Sequence, residues 1–84
     1  MICEICGRDT ECARHHVYFG SANRKLSERW GMVARLCPFC HQNGPKAVHR
    51  CRETDLMLKR QYQRIFEANY PDGSFIAIFG RNYL

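Results

Sequence analysis

Four cysteines and four histidines carry the chemistry-bearing pattern of this 84-residue chain. Cys3-x2-Cys6 and Cys37-x2-Cys40 are two paired knuckles with 30 residues between them. Two intervening residues let the backbone turn back, so each pair can offer two sulfurs to one ion. Four thiolates close a tetrahedral shell, which suits zinc at about 2.3 Å per bond and leaves no open position. Such a site does no catalysis. It clamps the N-terminus to the middle of the chain. Cys12 and Cys51 fall outside the pattern and read as small buried hydrophobes, with Cys12 the available substitute ligand.

The histidines set up a second question. If Cys37 and Cys40 belong to the thiolate shell, His41, which follows directly, is free for another role. His15 and His16 are adjacent on an expected strand, so their side chains leave opposite sides. They can therefore do different jobs around one centre. His49 lies eight residues beyond His41, past an Asn43-Gly44-Pro45 turn signal. Three of these four histidines flank the zinc knuckles, and together they read as a second, open metal site rather than as ordinary surface residues.

The elements that would position them can be read in outline, and they make an α+β domain. "RHHVYF" (14–19) is rich in β-branched and aromatic residues and reads as a strand. "GSANRKLSERWG" (20–31) is bracketed by glycines and reads as a short helix capped by Ser21 and ended by Gly31. "MVARL" (32–36) is a second strand running into the Cys37 knuckle. Helix is expected to resume near Lys46. A long helix then begins about residue 54, with Leu58, Tyr62, Ile65 and Phe66 on one apolar face, and Pro71 and Gly73 stop it. Asp55 suits its positive end. "SFIAIFG" (74–80) is expected to be a closing helix with Gly80 as its cap, and the tail aromatics, Tyr83 included, are expected in the core.

Size and charge narrow the function classes. A chain this short buries only a thin core, and a bound metal commonly supplements it. No stretch reads as a signal peptide or a membrane span, which points to a cytoplasmic setting where thiols stay reduced and cysteines serve metals. The net charge is +5, with a pI near 9.1. Between Ala22 and Arg60 nine basic residues face three acidic ones. A basic middle built around metal motifs points to a polyanion, nucleic acid first. Arg24, Lys25 and Arg29 between the strands, with Lys46, Arg50 and Arg52 around the second histidine segment, would make phosphate contacts that position without reading sequence.

Paired CxxC motifs, a His-His doublet between them and a histidine directly after the second pair resemble the zinc-containing HNH (ββα-metal) endonucleases. More closely, "HHVYFGSANRKLSERWG", "LCPFCH", "VH" and the terminal "FGRNYL" resemble a group of short phage and prophage HNH proteins loosely associated with recombination. The likeness covers nearly the whole chain. It implies one domain over residues 1–84, with knuckles at 3–6 and 37–40, a ββα core over about 13–52, and C-terminal helices over about 54–80. It implies a metal-dependent DNA endonuclease, phage or prophage encoded, acting in a bacterial cytoplasm. By the same likeness His15 and His41 bind the catalytic metal, His49 is the one histidine left to complete the set, and His16 is the general base. Asn23 is the nearest match to the asparagine that holds the base. Relatives that carry two helix histidines space them four apart, whereas His41 and His49 are eight apart across Gly44-Pro45. The implied cofactors are one structural Zn2+ and one catalytic divalent ion: Mg2+, Mn2+, Ni2+ or Zn2+. A resolvase-like role would favour a homodimer. Two other classes fit the same residues: a zinc-stabilised nucleic-acid-binding module without catalysis, and a protein-interaction zinc domain with His41 or His49 in the thiolate shell.

Overall fold

Ala13–His16 (β1) and Val33–Leu36 (β2) pair antiparallel in the computed structural model, which describes residues 1–84. The register sets His15 opposite Ala34 and His16 opposite Val33. Side chains alternate across a strand, so His15, Ala34 and Leu36 turn inward and are buried, while Arg14 and His16 point to the other side. β1 is shorter than "RHHVYF" suggested. Val17 still donates its N–H to the Met32 carbonyl at 3.1 Å, but Tyr18 leaves the sheet. Its backbone is taken by Ser27, whose hydroxyl accepts from Tyr18 N (3.1 Å) and donates to Tyr18 O (2.7 Å). A buried serine has thus replaced the strand partner that residue 18 lacks.

The connection between the strands is α1, Ser21–Trp30. Gly20, not Ser21, occupies the cap position, and no side chain caps it. Gly31 ends the helix as expected, with φ at 74°. This left-handed conformation lets Met32 N reach back to the Ser27 carbonyl at 2.8 Å and turns the chain into β2. A Cβ on Gly31 would meet nothing within 4 Å, so an alanine there suffers only backbone strain. Gly31→Ala is expected to cost about 1 kcal/mol. In a domain of this size that lowers the melting temperature by roughly 4–8 °C, which thermal denaturation followed by circular dichroism would record.

After β2 comes a single wide turn, Phe39–Asn43 (α2), whose hydrogen bonds span five residues, as in Gly44 N to Phe39 O at 2.8 Å. No helix resumes at Lys46. Residues 44–51 instead fold as consecutive turns with bonds from Ala47 N to Gly44 O and from Arg50 N to Ala47 O. Pro45 has no N–H to give a ladder, which fits this break. The long helix, α3, runs Arg52–Asn69 and carries Glu53 and Asp55 in its first turn, where the helix dipole favours acidic groups. It starts two residues earlier than expected. Leu58, Tyr62 and Phe66 make its buried stripe; Ile65, expected on that face, is exposed, and Lys59 and Gln63 are buried instead. Both polar residues are satisfied. Lys59 pairs with Asp55, and Gln63 bonds to Asn82, Glu67 and the Tyr83 backbone.

The closing helix, α4, spans Phe75–Phe79, with the Ser74 hydroxyl accepting from Ala77 N and Gly80 as its left-handed cap. Phe75 and Phe79 pack edge-to-face or tilted against Tyr18 and Phe66, with Trp30 and Tyr70 on the far side. Tyr83 is half-buried against Tyr18. The tail aromatics are therefore core. No helix is long and apolar enough to cross a membrane. The result is a small α+β architecture: a two-stranded sheet with helices packed around one aromatic core.

Candidate metal centres

The N-terminal knuckle is docked by Glu4. Its N–H donates to the Arg35 carbonyl at 2.9 Å, and its carboxylate accepts from Arg35 N at 2.6 Å and from the Tyr62 hydroxyl. That puts Cys3 and Cys6 against the end of β2, from which Cys37 and Cys40 follow. The four sulfurs lie within 4.8 Å of one another, and Cys6 Sγ to Cys37 Sγ is 3.7 Å. The edge of a tetrahedron with bonds of about 2.3 Å is about 3.8 Å. Cys3, Cys37 and Cys40 are buried and Cys6 is exposed. Burial opposes ionisation at Cys3, but N–H groups of Cys37, Cys6 and Ile5 outweigh it and hold the thiol down at about 6. Burial and the neighbouring sulfurs push Cys40 the other way. Four thiols packed this closely cannot all ionise without a cation among them, and the cluster could hold a structural metal. Cys12 is buried as expected, its thiol donating to the Met1 and Thr10 carbonyls. Cys51 is half-buried, at the residue before α3.

The histidines form a separate cluster. Ring nitrogens of His15, His41 and His49 lie within 4.8 Å of one another. His49 reaches His41 in spite of the eight-residue spacing because the turns after α2 fold back upon it. Val48 N bonds to Cys40 O at 2.9 Å, and His49 N to His41 O at 3.3 Å. Gly44 makes this possible, since a Cβ there would come within 2.8 Å of the Phe39 carbonyl. His41 Nε2 and His49 Nε2 are 3.1 Å apart. Two imidazoles bound at about 2.1 Å place their nitrogens about 3.0 Å apart on an octahedral ion and about 3.4 Å apart on a tetrahedral one. His15 Nε2 is fully buried and has no hydrogen-bond partner. An orphaned nitrogen on a ring packed against two converging imidazoles fits a divalent ion, which would accept its lone pair.

Charge reinforces this. Burial first, then the neighbouring His49, His41, Lys59 and His16, depress the His15 pKa to about 3. Burial and His49 lower that of His41 as well. Both imidazoles are thus neutral at physiological pH and able to donate to a metal. The same shift carries a stability signature. His15 binds a proton more weakly folded than unfolded, so its contribution is complete above the ordinary imidazole pKa of about 6.5 and is lost as pH falls toward about 3. In that window the wild-type protein is expected to lose stability more steeply than His15→Leu, by up to about 1.4 kcal/mol per pH unit. Parallel urea titrations with zinc at one equivalent, enough for the cysteine cluster alone, would measure it.

A cleft of about 290 Å³ opens at this cluster, lined by Arg14, His15, His16, Phe19, Arg24, His41 and His49. His15 and His16, though they leave opposite faces of β1, both reach it. His16 is about a quarter exposed, and its Nε2 sits 2.7 Å from Glu28 Oε2 on α1. The other oxygen of Glu28 accepts from Arg14, and these two partners hold its carboxyl below the ordinary range. A neighbouring hollow, sharing His16 and Arg24, continues past Ser21, Lys25 and Glu28. Of the basic residues expected to meet phosphate, Arg24 and Lys25 lie here. Arg29 sits over Trp30, Arg50 bonds to the Asn43 carbonyl, Lys46 borders a hollow beside Cys40, and Arg52 opens α3. Asn23, on α1, does not line the cleft and bonds to none of the histidines. Sequence reasoning missed Glu28, Arg14 and Phe19. Arg14 and Glu28 carried no signal beyond their charge.

No known family model, characterised protein or solved structure matches this chain.

Proposed function

We propose that the protein is a metal-dependent DNA endonuclease of the HNH (ββα-metal) type, with a zinc ion in the Cys3, Cys6, Cys37, Cys40 shell and a catalytic divalent ion at His15, His41 and His49. The observation that carries this reading is the convergence of three imidazoles, one with a buried orphaned nitrogen, beside a fourth histidine in a cleft edged by arginine. In its support, the histidine doublet lies at the end of β1 and His41 in the turn after β2.

A divalent ion held by His15, His41 and His49 would supply charge neutralisation for the phosphate and the departing 3′ oxygen. Everything else falls to the chain. Arg24 and Lys25 hold the backbone of the nucleic acid through its phosphates. His16 takes the proton of the attacking water, so its imidazole must be neutral at rest. The water oxygen bonds to phosphorus as the P–O3′ bond breaks, and the departing 3′ oxygen takes a proton from solvent, giving 3′-hydroxyl and 5′-phosphate ends. Converging imidazoles suit zinc, nickel or manganese, and magnesium where solvent completes the shell.

The direct test is incubation of the purified protein with supercoiled plasmid and with branched DNA across Mg2+, Mn2+, Ni2+ and Zn2+. Nicked or linear product bearing 5′-phosphate is expected. DNA left intact in every metal would refute the reading.

A further inference from the structure

We infer that Glu28, braced by Arg14, is the positioning residue for His16, filling the place for which Asn23 was the sequence candidate; the inference rests on the nuclease reading above. Arg14 and His16 are two residues apart on β1 and so share one face of the strand. Both end on the same carboxylate, one on each oxygen. A carboxylate only accepts. The His16 nitrogen facing it, Nε2, must therefore carry the proton, which leaves Nδ1 as the lone-pair nitrogen of the neutral ring. One tautomer and one ring orientation are fixed together, as a general base requires.

The frame behind Glu28 is rigid. Ser27, the preceding residue, is fully buried and bonds twice to the Tyr18 backbone. That pins this turn of α1 to Tyr18, two residues past the end of β1 at His16. The trio itself is not a stability device. Arg14 and Glu28 are each about half exposed, and ion pairs so exposed contribute little to folding. Asn23 lies on the same helix but does not reach the ring.

The test compares wild type, Glu28→Ala and His16→Ala in one plasmid-cleavage assay, with zinc content and melting temperature checked for each. Glu28→Ala is expected to keep zinc and fold and to lose about 10- to 100-fold in kcat, the range seen when the outer partner fixing an imidazole is removed. KM should stay near the wild-type value. Long-range 15N correlation spectra give a readout independent of turnover. In spectra of the neutral ring, His16 should show the Nε2–H tautomer in wild type and a mixture in Glu28→Ala. Wild type and Glu28→Ala cleaving equally while His16→Ala is inactive would overturn the inference and leave the nuclease reading standing. So would identical tautomer mixtures in the two proteins. A wild type that cleaves nothing would overturn both.

Discussion

Replacing His16 with alanine is expected to lower DNA cleavage by about 10²- to 10⁴-fold, the contribution typical of a positioned general base. Folding, zinc content and DNA affinity should stay close to wild type. His16 bonds through its side chain only to Glu28, which is about half exposed, so truncating it leaves no buried partner unpaired. It is outside the trio of converging imidazoles, so ion binding at His15, His41 and His49 should persist. Plasmid nicking in single-turnover conditions, alongside fluorescence anisotropy with labelled duplex, would separate catalysis from binding. The same comparison separates the enzyme from a non-catalytic zinc-stabilised binding module, for which DNA affinity survives and no cleavage exists to lose. Undiminished cleavage by His16→Ala would remove His16 from the base role.

Losing the thiolate shell should be more damaging still. Cys37→Ser together with Cys40→Ser is expected to leave the chain largely unfolded at room temperature. Only 21 of the 84 residues are buried, a thin core to set against chain entropy. Three of the four clustered cysteines, Cys3, Cys37 and Cys40, lie within that core. Structural zinc in small domains is worth an apparent 10–16 kcal/mol or so at neutral pH, roughly the whole stability of a domain. The N-terminal knuckle has few other ties to the rest of the chain: Glu4 to Arg35 and Tyr62, and Ile5 against the core. Far-ultraviolet circular dichroism of the double variant should resemble that of wild type stripped by a strong chelator. His15→Ala, by contrast, should keep its secondary structure. Native-like spectra and an unchanged melting temperature in the double cysteine variant would show that the sulfurs clamp nothing.

The thiolate cluster was legible because its geometry is local. A CxxC pair sets two sulfurs by chain turning alone, and only the meeting of the two pairs needed the fold. Gly31, Gly80 and the aromatic tail were legible for the same reason, since helix ends and apolar spacing are short-range signals. His49 was not. Its approach to His41 depends on a five-residue hydrogen-bonded turn, on Gly44 lying against Phe39, and on two backbone bonds that fold residues 44–49 back. None of these has a spacing rule. The helix expected from Lys46 failed at the same point, because the backbone groups there are spent on α2. Ile65 looked apolar and in register, yet Lys59 and Gln63 are the buried neighbours of Leu58, Tyr62 and Phe66. The reason is polar: Asp55 and the C-terminal tail supply partners that a sequence window cannot see. Glu28 was invisible for a related reason. Its meeting with His16 depends on Ser27 locking α1 to Tyr18, a contact between the end of a strand and the middle of a helix.

The most direct test of two separate ion sites is anomalous diffraction from crystals grown with zinc and soaked in Mn2+. Two peaks are expected: zinc among Cys3, Cys6, Cys37 and Cys40, and a second, exchangeable ion bonded to His15, His41 and His49. A single peak, with the three imidazoles bonded only to water or to one another, would contradict the account.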